Sequence, residues 1–92
     1  MEFEWDPPKA ARNLAKHGVS FEEAATAFGD PFGRIVADPR HSSVEERLVL
    51  LGLSKHRRLL AVMYTERAEA LRIISARLAT RPERRDYEEI PQ

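Results

Sequence analysis

Apolar and polar positions change period twice along this chain, and the changes divide it into short elements. Phe3 and Trp5 alternate with Glu2, Glu4 and Asp6, which is the period of a brief half-buried strand. Asp6 then offers a side-chain oxygen to free amides, and Pro7 suits a first helical position. A helix is therefore predicted from residue 7 to about residue 17, with Ala10, Ala11, Leu14 and Ala15 as a narrow apolar stripe and Lys9, Arg12, Asn13 and Lys16 facing out. Gly18 can take the left-handed conformation that closes it. Ser20-Phe21-Glu22-Glu23 has the form of a capping box, in which the serine takes the amide of Glu23 and the carboxylate reaches back. Phe21, Ala24, Ala25 and Phe28 recur at helical spacing before Gly29-Asp30-Pro31 stops the run. Two short helices thus form a hairpin whose alanines allow close approach to a sheet.

From Gly33 the period becomes extended. Ile35-Val36-Ala37 reads as a strand ended by Asp38-Pro39, and Arg40-His41-Ser42-Ser43 as a polar loop. Residues 47–53, 59–64 and 71–78 read as three further strands, separated by the basic turn Lys55-His56-Arg57 and the turn Glu66-Arg67-Ala68-Glu69. Short turns at this spacing predict an antiparallel four-stranded meander. The two middle strands are apolar on both faces, so the sheet is expected to be covered on both sides, one of them by the helical hairpin. Thr80-Arg81-Pro82-Glu83 is a second capping box and opens a last helix that runs to about Glu89, before Pro91. The expected fold is α+β in a single domain over residues 1–92.

Charge changes this picture. The 92 residues carry no net charge, yet from Lys55 to Arg85 nine basic residues stand against three acidic ones, while six acids stand against three bases before Pro31. A basic half can attract phosphate while an acidic half keeps the whole soluble; the same charges could instead pair across the fold. Without cysteine there is no disulfide and no thiolate metal site. The acidic start lacks the features of a secretory signal, and the apolar runs are too short to span a bilayer. A soluble cytoplasmic protein is expected. Arg72-Ile73-Ile74-Ser75-Ala76-Arg77 joins core and charge, since it sets an arginine at each end of an apolar strand.

The chain resembles the BrnT family of toxins from bacterial type II toxin–antitoxin systems. The matching stretches are Phe3-Glu4-Trp5-Asp6-Pro7, Asn13-Leu14-Ala15-Lys16-His17-Gly18-Val19-Ser20-Phe21, Asp30-Pro31, His41-Ser42 with Glu45-Glu46-Arg47, Tyr64-Thr65-Glu66-Arg67, the Arg72 to Arg77 stretch, and Glu83-Arg84-Arg85 with Tyr87. They cover nearly the whole length. The resemblance implies a RelE-like fold and ribonuclease activity that inhibits translation, on RNA that is free or held on a ribosome. It also implies neutralisation by a BrnA-like antitoxin, in a hetero-oligomer that binds operator DNA, with no cofactor, metal or membrane involved.

Cleavage of RNA by its own 2′-hydroxyl requires a base, a cation for the charge that develops on phosphate, and a proton donor for the leaving oxygen. Histidine suits the proton transfers, and the arginine fork suits phosphate. The catalytic candidates are Arg77, Arg67, His17 and Glu46, and the RNA-binding candidates are Lys16, Arg72, Arg81, Arg84, Arg85 and Tyr87. Each has a plainer reading. His17 can simply favour the dipole at a helix end, a loop histidine such as His41 can be solvated, and Tyr64 and Tyr87 can belong to the core. Regular alternation sets Arg72 and Arg77 on opposite faces unless a bulge lies between them. The alternative function is a non-catalytic module that binds nucleic acid or a partner protein.

Overall fold

The computed structural model describes residues 1–37 and 46–89. The expected turn at Asp38-Pro39, the loop with His41, Glu45, and Ile90 and Pro91 lie outside them. In chain order the elements are β1 (Glu2–Glu4), α1 (Pro7–His17), α2 (Phe21–Thr26) with a 3-10 turn at Ala27–Gly29, β2 (Arg34–Ala37), β3 (Leu48–Leu53), β4 (Leu59–Arg67), β5 (Ala70–Leu78) and α3 (Arg81–Glu88).

The sheet is five-stranded and mixed, in the order β1-β5-β4-β3-β2. The four-stranded antiparallel expectation is thus corrected: β2 to β5 pair antiparallel, but β1 adds to β5 in parallel, Glu2 to Glu4 lying against Ala70 to Arg72. α1 and α2 carry the chain from β1 at one edge to β2 at the other.

One face of the sheet packs against the helical hairpin. Val19, Phe21, Ala24 and Ala27 meet Leu50, Leu60, Val62, Tyr64, Ile73 and Ala76, with Phe3, Trp5 and Phe28 at the margin. The aromatic rings stack edge to face, Phe28 on Tyr64 at 5.0 Å and Trp5 on Phe21 at 5.9 Å, the arrangement their quadrupoles favour. Tyr64 is therefore a core residue, 2% exposed. Gly52 brings the hairpin close: a Cβ there would stand 2.7 Å from the Ala27 carbonyl.

Helix ends follow the sequence with two differences. Gly18 closes α1 at φ 69° and Thr80 with Glu83 forms the full capping box. Asp6, however, caps α1 through its backbone carbonyl, which takes the Ala10 amide, with no side-chain bond. Ser20 does accept from the Glu23 amide, but the Glu23 carboxylate turns inward instead of reaching back. It is 4% exposed and accepts from Ser54 Oγ at 2.7 Å and Arg58 Nε at 2.9 Å. A buried carboxylate needs such partners, and the guanidinium, opposed by burial, holds its pKa below the ordinary value.

The apolar stripe of α1 also differs. Leu14 is half exposed, and the buried residue is Asn13. Its amide nitrogen donates to Val19 O at 2.9 Å and Ala76 O at 2.8 Å, and its oxygen accepts from the Ala76 amide at 3.1 Å. The side chain acts as a short stretch of neighbouring strand where β1 no longer covers β5.

Candidate functional site

β5 holds the feature that arranges the charged residues. Met63 lies opposite Ser75 and Tyr64 opposite Ile73, so Ile74 is an extra residue. Such a bulge shifts the alternation by one. Ile73 and Ala76 consequently both face the hairpin, and Arg72, Ser75 and Arg77 share the other face, opposite Thr65, Met63 and Ala61. The expected separation of Arg72 from Arg77 onto opposite faces is corrected by this insertion.

That second face is covered in part by α3. Tyr87 packs on Val49, Leu51 and Ala61, and its hydroxyl donates to Asp30 Oδ2 at 2.5 Å. Burial, then the neighbouring Asp30 carboxylate, push the phenol up to about 12. Arg34 donates to the carbonyls of Asp86 at 2.6 Å and Glu89 at 3.1 Å, which satisfies the open end of the helix. The structure thus gives Tyr87 a packing role.

Arg77 meets Glu83 through two bonds, Nη1 to Oε1 at 2.7 Å and Nη2 to Oε2 at 3.0 Å. The same carboxylate takes the Thr80 amide at 2.9 Å, and chiefly through the arginine its pKa falls to about 2. The Arg77 side chain is one quarter exposed, so the pair fixes the orientation of the fork without enclosing it. Arg81, Arg84 and Arg85 stand exposed on the adjoining α3.

α1 approaches the same end of the sheet. Its Asn13 is tied to Ala76, and the Gly18 carbonyl, one residue past His17, accepts from Arg58 just before β4. Lys9, Arg12, Asn13, Lys16 and His17 line a cleft of about 310 Å³ with Ile74 and Ser75. Ser75 therefore belongs to the cleft while also contributing to the arginine-bearing face.

The remaining candidates lie elsewhere. Arg67 ends β4, opposite Ala70, and is not in the turn, which consists of Ala68 and Glu69 alone. The positions opposite Arg77 and Ala70, Ala61 and Arg67, are six steps apart along β4, about 20 Å at the rise of a strand. Arg67 and Arg77 hence cannot hold one phosphate. Arg72 lies between them and bonds Glu4 at 2.9 Å. Glu46 is exposed just before β3, toward the Arg67 end of the sheet. Beside Arg72 the Thr65 hydroxyl is buried with no hydrogen-bond partner among the described residues.

Sequence reasoning missed Lys9, Arg12, Asn13 and Ser75 as members of the cleft. Their spacing on α1 was legible; what hid them was the bulge at Ile74, which sets Ile74 and Ser75 along the edge of β5 beside the helix.

These features define a small α+β protein with two groups of exposed cations, Lys9, Arg12 and Lys16 on α1 and Arg81, Arg84 and Arg85 on α3, on the two sides of its sheet. The model of the family described as ribonuclease toxin, BrnT, of type II toxin–antitoxin systems matches residues 5–83. The crystal structure of the Brucella abortus ribonuclease toxin BrnT, at 1.1 Å resolution, is similar with a TM-score of 0.67 and 27% identity, over 88% of this chain and 99% of that one. No curated protein matches. The chain belongs to the BrnT family of ribonuclease toxins.

Proposed function

We propose that this protein is a RelE-like endoribonuclease that cuts RNA without a metal, by attack of a 2′-hydroxyl on the adjacent phosphate. Arg77 faces the phosphate, where positive charge is most effective if it is fixed before the reaction. His17 moves the proton, and Lys16 with Arg81, Arg84 and Arg85 binds the neighbouring backbone. Arg72 and Arg67 continue the positive track along the second face, with Glu46 beyond the cleavage position. Cleavage of messenger RNA in the cytoplasm would stop translation, and a BrnA-like antitoxin, itself a binder of operator DNA, would neutralise the toxin by covering this surface.

The observation that carries the reading is the Arg77–Glu83 fork, held on the α3 side of the sheet end near which the Gly18–Arg58 bond fixes the last turn of α1. A second reading, a binding module without catalysis, is favoured by the carboxylates that already engage Arg72 and Arg77.

Cleavage of labelled bulk RNA in EDTA separates the two. Wild type is expected to cut; Arg77→Ala and His17→Gln, with far-ultraviolet spectra and melting curves matched, should each lose about 100-fold or more. If all three bind RNA and none cuts it, the assay repeated on translating ribosomes decides between ribosome dependence and the binding module. Wild-type cleavage that Arg77→Ala leaves intact removes Arg77 from the site.

A further inference from the structure

The α1 cleft extends past the residues used above. Lys9, Arg12 and Lys16 follow one another at spacings of three and four, so their stems rise from one side of the helix, where like charges repel. Residues 7–17 contain no acid, and none of these three side chains makes an ion pair or hydrogen bond among the described residues. Lys9 also sits near the positive end of the helix dipole. The mutual repulsion of the row, and the dipole at its Lys9 end, are unfavourable for the free helix, and a bound anion would relieve both.

The walls are preformed. Asn13 is locked by its three bonds to Val19 and Ala76, and the half-buried Ile74 provides an apolar surface beneath the cations. Cations on the rim over one apolar side chain suit a single nucleic-acid strand, with phosphates outward and a ribose or base below. An acidic protein helix would need a longer apolar groove than Ile74 alone provides. From His17 back to Lys9 the row runs about 12 Å along the helix axis, longer than one phosphate group.

We infer that this cleft holds the phosphodiester backbone of single-stranded RNA on one side of the cleavage position, Lys16 nearest to it and Arg12 and Lys9 engaging the strand further on. The inference rests on the ribonuclease reading, which gives the row its direction from His17.

The test uses the whole chain and a 2′-O-methyl oligoribonucleotide, which cannot be cut, with affinity measured from about 50 to 200 mM salt. Each cation on a single strand contributes about 0.7 to the slope of log K against log salt. Lys9→Gln/Arg12→Gln should therefore reduce the slope by about 1.4, and Arg12→Gln alone by about half of that. Lys55→Gln/Arg57→Gln removes the same charge from the exposed β3–β4 turn and should leave the slope unchanged. Equal effects of the two double variants, an unchanged slope, or no binding by wild type overturns the assignment. A Lys9/Arg12 variant that keeps RNA but loses poly-glutamate assigns the cleft to an acidic protein segment, which also overturns it. Bulk RNA cleavage is scored separately: a cleft-dependent slope in a protein that never cuts preserves the RNA site and removes the nuclease.

Discussion

Asn13 shows how much one polar side chain can decide. It reads as an outward residue of α1, yet it bridges the α1–α2 turn and the uncovered edge of β5, satisfying two buried carbonyls and one amide. Replacing it with alanine leaves all three unmatched, and each such loss costs on the order of 1–3 kcal/mol when the group stays dry. Because water can reach part of this edge through the adjacent cleft, a total of about 3 kcal/mol is expected for Asn13→Ala, measured by urea unfolding. Asn13→Asp should be at least as harmful, since it keeps the acceptor for the Ala76 amide but turns a charge toward two carbonyl oxygens. A loss below about 0.5 kcal/mol in either variant would mean that the edge is satisfied in another way.

At the scale of elements, α3 is docked by a handful of side chains beside the proposed chemistry. The helix buries none of its residues fully and is held by the capping box, the Tyr87 hydroxyl on Asp30 and the Arg34 bonds to its last carbonyls. Tyr87→Phe keeps the ring on Val49 and Leu51 but removes a bond to a charged acceptor, a contribution of about 1.5–3 kcal/mol. The expected result is faster amide exchange in α3 with β3 and β4 unchanged; equal protection throughout would show that the Asp30 bond adds nothing. Local signals such as the capping residues, Gly18 and the strand alternation were legible because they act within a few residues. What was not legible depends on distant partners: Glu23 abandons its cap for Arg58, Asn13 pairs with Ala76, and β1 selects β5. The Ile74 bulge has no glycine to announce it, and the tight turn sets Ala68 at φ 49°, a conformation usually left to glycine or asparagine. Of the candidate site, the residue types were legible, with Arg77, Lys16 and His17 proposed from the sequence, whereas their grouping was hidden by the bulge.

For the whole molecule, acid should loosen the links between elements together. Three carboxylates join separate parts: Glu23 ties α2 to the β3–β4 turn and Arg58, Asp30 ties the segment after the 3-10 turn to β3 and α3, and Glu83 ties α3 to β5. All three have lowered pKa values. For Asp30 burial acts in the opposite direction but is outweighed by Tyr87 and the amides of Leu53 and Phe32. For Glu83 the value is about 2 against an ordinary 4.5, chiefly because of Arg77. A group whose folded pKa is depressed stabilises the protein above its unfolded pKa, and that contribution is lost as pH falls through the folded value. The Glu83 contribution is therefore complete above about pH 5 and lost by about pH 2. The melting temperature should hold through neutrality and fall across that window. Glu83→Gln, which keeps the shape but cannot ionise, should melt lower at pH 7 and decline less steeply below pH 5, so that the two curves converge in acid. Parallel curves would show that the Arg77–Glu83 pair adds no net stability, leaving the orientation of the arginine fork as the reason for its geometry.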